Sequence, residues 1–120
     1  MIRGVRGATT VPSNTADKIV AHTKELIEEM AQLNEVAPDQ IATVLISVTS
    51  DIDAAFPAKA LRQIDGWKYV PVMCMKEIEV QNSLPKCIRI MMTVNTDLSQ
   101  EEVQHVYHYE AKKLRPDLRS

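Results

Sequence analysis

The stretch CIRIMMTVNTD, Cys87 to Asp97, decides how the rest of the chain is read. Apolar residues stand on every second position, the period of a half-buried strand, yet Arg89 interrupts them. The residues on its face are Cys87, Met91 and Thr93, unusual company for a solvent-facing arginine. Two readings follow. On the polar side of an edge strand, the arginine stem lies over Cys87 and Met91 while its head stays in water. On a covered face, the guanidinium must find a carboxylate or phosphate, because an unpaired buried charge is costly.

Working outward, Ile2 to Thr10 alternates small and β-branched residues and reads as a first strand. Arg6 lies between Gly4 and Ala8 on one face of it, with Arg3 on the other, so open space is left beside the Arg6 guanidinium. Asn14 or Thr15 can cap a helix whose apolar stripe is Ile19, Thr23, Leu26, Ile27, Met30 and Leu33, ending near Asn34. Pro38-Asp39 breaks the chain before IATVLISV, a strand apolar enough to be covered on both faces. FPAKALRQIDG is a short helix, with Pro57 in its first turn and Gly66 at its end. WKYVPV reads as a strand whose Pro71 suggests an edge.

The spacing of Ser99 and Glu102 makes a capping box, which predicts a last helix carrying Val103, Val106 and Tyr107 on one face. The expected order is β-α-β-α-β-β-α, an α/β (α+β) fold with a mixed sheet packed against helices. All 120 residues are expected in one domain. A small sheet apolar on more than one face points to other subunits as the cover for its second side.

The totals exclude several function classes. Fourteen basic and sixteen acidic residues give a net charge of −2, which does not suit nucleic acid as a main partner. No apolar run reaches the roughly 18 residues of a membrane span, and MIRGVRGATT has no signal-peptide core, so a cytoplasmic protein is expected. Cys74 and Cys87 read as reduced thiols. His105 and His108 are placed on the last helix without CxxC or HExxH spacing, so no metal and no cofactor are expected. His22 likewise has no serine or cysteine placed to form a triad.

Other positions admit a bland and a chemical reading. Cys74 and Glu77 would point to opposite faces of a continuous strand, and converge only if the chain leaves the strand near Cys74. Tyr107 shares the stripe of Val103, where packing is its ordinary role, although a buried hydroxyl wants a partner. Lys59 and Arg62, three apart, form a solvated basic face or the mouth of an anion site. Arg115 falls in a terminal tail, residues 114–120, where mobility is expected.

Taken in order, RGATT, AFPAKALRQ, VPVMCMKE, KCIRIMMTVNTD and HVYHYEAKKLRPDL resemble the monofunctional chorismate mutases with a trimeric pseudo-α/β-barrel, from Ile2 to Leu118. Each block is weak alone; five in register are specific. The resemblance implies a Claisen rearrangement of chorismate to prephenate, in the route to phenylalanine and tyrosine, in a homotrimer with sites between subunits. Such a reaction uses no covalent intermediate and no general acid or base; it requires a restrained conformer and a cation where charge develops.

By position, the resemblance implies that Arg89 stands against the ether oxygen and a carboxylate, and that Arg6 and Tyr107 grip carboxylate oxygens. Glu77 would accept a hydrogen bond from the ring hydroxyl, with Cys74 near the same group. Phe56, Ala58 and Lys59 would line the wall, with Arg62 at the entrance, and Met75 and Lys76, beside Cys74 and Glu77, would also be among the substrate-binding residues. Leu114 and Arg115 would belong to a tail that closes on ligand. Many relatives have threonine where this chain has Met73, so any hydroxyl contact there would be lost and only the backbone contact kept. The alternatives are a non-catalytic trimer that senses a small carboxylate, and a structural interaction module.

Overall fold

The structure is a computed structural model and describes residues 1–114. Its centre is a five-stranded mixed sheet of β1 (Ile2–Thr10), β2 (Ile41–Val48), β3 (Val72–Lys76), β4 (Cys87–Asn95) and β5 (Val106–Tyr107). The strand order is β3-β2-β4-β1-β5. The strand that carries Arg89 is therefore central, paired antiparallel with β1 on one side and β2 on the other. This removes the edge-strand reading of that arginine.

One helix, α1 (Ala16–Leu33), covers one face of the sheet. Its buried residues include Ile19, Thr23, Leu26, Ile27 and Met30, as the periodicity requires. Leu33 departs from the expected stripe and is half-exposed at the last turn. Thr15 is the N-cap by position, but its side chain makes no cap hydrogen bond. Asn14 instead accepts from the amides of Asp53 and Ala54, at 3.1 Å each, and pins that loop. Gly7 lets α1 approach closely: a Cβ there would lie 2.4 Å from the Met30 sulfur.

The core lies between α1 and the face carrying Val5, Val44, Ile46, Ile88, Ile90, Met92 and Val94. The other face bears Arg6, Leu45, Met73, Met75, Arg89 and Met91, and the described residues only partly cover it. β2, expected to be covered twice, buries Val44 and Ile46 but leaves Leu45 41% exposed. The alternation in its burial follows from one covered face.

Two elements differ from the sequence expectation. The strand read at WKYVPV begins only at Val72 and runs to Lys76; Trp67 instead is buried in the core. Pro71 nonetheless precedes an edge strand, β3, and its carbonyl accepts from the Val44 amide at 2.9 Å. The last α-helix does not form. The capping box is present, since Ser99 and Glu102 exchange bonds of 2.8 and 3.2 Å, but it closes only one turn.

Beyond that turn, Asn34 captures both backbone groups of Gln104. Its Oδ1 accepts from the Gln104 amide at 2.7 Å and its Nδ2 donates to the Gln104 carbonyl at 2.9 Å. Val106 and Tyr107 then pair in parallel with Gly7 and Ala8, and a 3₁₀ helix, Tyr109–Lys113, follows. Hence His105 and His108 lie outside any α-helix. The short helix after Phe56 is also 3₁₀, Pro57–Gln63. No helix among the described residues is long and apolar enough to cross a membrane.

Candidate active site

On the open face, register brings the cationic side chains together. Ala8 and Ser47 flank Arg89 across the two ladders, and Arg6 faces Met91, two residues further along β4. Arg6 and Arg89 are thus diagonal neighbours on one face, a relation within reach of long side chains. Tyr107 pairs with Ala8 and shares that face. It packs with Ala8 and Ala111, and Leu84 and Leu114 lean on the same cluster.

Glu77 follows directly on β3, where its amide donates to the Val48 carbonyl at 2.8 Å. Its Oε1 accepts from the Ser47 hydroxyl at 2.7 Å and stands 3.7 Å from Arg89 Nε. The carboxylate therefore attracts the guanidinium without hydrogen-bonding to that nitrogen. Arg6 Nε, Arg89 Nε and Tyr107 Oη are all buried and have no hydrogen-bond partner among the described residues. Unsatisfied buried donors are rare and call for an explanation. Here three of them lie on one sheet face, and one of them, Arg89, stands beside the Glu77 carboxylate.

A second set of predicted residues gathers around β3 at the edge. Cys74 pairs with Ile46 and packs against the core, so it lies on the sheet face opposite Glu77. The strand continues through Lys76, and the turn that would have made the two converge within one chain is absent. Cys74 lies beside the Ala58 amide, and burial pushes its thiol up. A cleft of about 700 Å³ there is lined by Phe56, Lys59, Cys74, Met75 and Lys76 with the loop after β2.

Ala58, Lys59 and Arg62 border a neighbouring hollow with Phe56 and Lys68. Met73 points to the open face and is 63% exposed. Lys76 is paired with Glu79 at 3.2 Å. Arg115 lies outside the described residues.

The sequence reading missed Ser47, which orients Glu77. Its only signal was a hydroxyl, one of two with Thr43, in the otherwise apolar run IATVLISV. Cys87 lies on the Arg89 face and is 1% exposed; burial pushes its thiol up, while the guanidinium pulls the other way. Among the described residues, no group of three His, Cys, Asp or Glu could hold a metal ion.

The fold and this cluster define an α+β protein with a cationic sheet face suited to a small anion. The family model described as chorismate mutase type I matches residues 2–118, and the chain belongs to that family of isomerases. It is 50% identical to chorismate mutase AroH of Bacillus subtilis (strain 168) over 118 residues, 98% of this chain and 93% of that protein. With chorismate mutase AroH of Thermus thermophilus the identity is 45% over 121 residues, 100% and 98% of the two chains. A solved chorismate mutase from Clostridium thermocellum superposes with a TM-score of 0.89 at 52% identity, covering 92% of this chain and 97% of that one.

Proposed function

We propose that this chain rearranges chorismate to prephenate, in the supply of phenylalanine and tyrosine, from sites shared between subunits of a homotrimer. The observation that carries the reading is the buried, hydrogen-bond-free Nε of Arg89, held 3.7 Å from Glu77. The rearrangement breaks an ether C–O bond and forms a C–C bond within one molecule, with no proton to shuttle. What accelerates it is a restrained conformer and a fixed cation where negative charge builds on the departing oxygen. Arg89 is that cation. It needs no reorganisation at the moment of reaction, because a central strand and both its neighbours hold its backbone.

Arg6 and Tyr107 supply the donors for substrate carboxylates, which accounts for their unsatisfied atoms. Glu77, oriented by Ser47, accepts from the ring hydroxyl. The division of the site residues supports assembly across subunits. Arg6, Glu77, Arg89, Tyr107 and Leu114 belong to the open face, whereas Phe56, Ala58, Lys59, Arg62 and Cys74 gather at the opposite side of the β3 edge. One chain keeps the two sets apart, and a neighbour's edge laid on the open face would join them. Such a neighbour would also cover Leu45, Met73, Met75 and Met91.

Met73 leaves its backbone available and offers no hydroxyl. Leu114 leans on the Tyr107 cluster, and Arg115, which lies outside the described residues, would take part in binding the substrate. An ultraviolet assay of chorismate loss with purified protein tests the reading. Saturable turnover is expected; saturable binding without turnover would favour a sensor, and no binding at all would favour a structural module.

A further inference from the structure

Tyr107 stands on the shortest strand of the sheet. Its backbone pairing is the two-residue ladder to Gly7 and Ala8, extended by the His108 amide donating to the Ala8 carbonyl at 2.9 Å. Immediately beyond, Tyr109 has φ 53°, a left-handed conformation that a tyrosine keeps only where its surroundings hold it.

The holding comes from α1, on the other side of the sheet. His22, Glu25 and Glu29 form one ridge of that helix, at helical spacing. His108 Nε2 is hydrogen-bonded to Glu29 Oε2, and Tyr109 Oη donates to Glu25 Oε1 at 2.9 Å. The His22 ring lies against the Tyr109 ring with centroids 4.7 Å apart, and its Nδ1 is tied to the Thr10 carbonyl at 2.8 Å. The Glu110 amide reaches Thr10 Oγ1 at 3.3 Å. The 3₁₀ helix that starts here carries Ala111 against Tyr107 and delivers Leu114 to the same cluster.

We propose that Glu29 and Glu25 are positioning residues for substrate capture. By clasping His108 and Tyr109 around the β5 edge, they fix Tyr107 and the start of the C-terminal segment against the open face. Their effect on capture rests on the proposed function, in which Tyr107 meets a substrate carboxylate. Neither glutamate touches the substrate; each acts through the residue that it holds.

The test is steady-state kinetics with chorismate on the full chain, with folding followed by circular dichroism. In E29A and Y109F the KM is expected to rise about 5- to 10-fold, while kcat changes less than about 2-fold, the pattern of lost binding rather than lost chemistry. E29Q keeps an acceptor oxygen for His108 and is expected to recover most of the KM. Combined with Y107F, E29A is expected to add less than its full effect, because both act on one group.

An unchanged KM in folded E29A and Y109F, or a lower melting temperature as their only change, would overturn the clasp. So would full additivity with Y107F. If E29A does not fold, E29Q and Y109F decide. If Y107F itself leaves the KM unchanged, the role given to Tyr107 fails, and the clasp's route to the substrate fails with it. A raised KM in Y107F beside an unchanged one in E29A removes the clasp alone.

Discussion

Glu77 Oε1 lies 3.7 Å from Arg89 Nε and accepts its hydrogen bond from Ser47 instead, at 2.7 Å. The carboxylate is thereby oriented by a neutral hydroxyl, and that guanidinium nitrogen is attracted but not satisfied. With Arg89 43% and Glu77 27% accessible, the pair is a half-open one whose worth to stability is small. Its arrangement suits a ligand better than it suits folding.

Glu77→Ala is therefore expected to lower kcat/KM for chorismate by about 10- to 100-fold, the range for a lost hydrogen bond to a charged group. Glu77→Gln, which still offers an oxygen to both the ring hydroxyl and Ser47, should lose less. Steady-state ultraviolet assays on both variants decide the matter. Equal activity in wild type and Glu77→Ala would remove Glu77 from the site.

Asn34 is buried and holds both backbone groups of Gln104 as well as the Met30 carbonyl. Asn34→Ala strands those groups, at a cost of about 1–3 kcal/mol for each one left buried without a partner. Chemical denaturation should show a lower midpoint with little change in slope. A midpoint equal to that of the wild type would mean that water replaces the amide.

Truncation after Lys113 removes Leu114, which leans on Tyr107 and Ala111. It is expected to raise the KM for chorismate more than it lowers kcat. A fall in kcat at unchanged KM would contradict a role in capture.

Most of the fold was legible because local pattern and burial agree. IRGVRGATT and CIRIMMTVN form strands where their alternation marks them, IATVLISV forms one where its apolar run and the preceding Pro38-Asp39 break mark it, and the α1 stripe lies against the sheet. The sheet's open side was legible too, since Arg6 and Arg89 stood out as charges on otherwise small or apolar faces. The failures are non-local. A capping box at Ser99 promised a helix, but Asn34, seventy residues away, takes the Gln104 backbone, and β1 takes Val106 and Tyr107. Nothing near residue 104 announces either partner. Likewise the convergence of Cys74 with Glu77 was posed as a question of local turn geometry. The continuous strand answers it in the negative within one chain.

The central claim is that Arg89 stabilises the departing ether oxygen, and the most direct measurement is kcat for Arg89→Ala and Arg89→Lys under saturating chorismate. Both should remain folded, and kcat should fall by roughly 10²- to 10³-fold in the alanine variant, as for other preorganised donors. The lysine variant should also be impaired, because a point charge does not reproduce the planar fork. A kcat within about 3-fold of wild type in folded Arg89→Ala, well short of the loss expected for such a donor, would contradict the account.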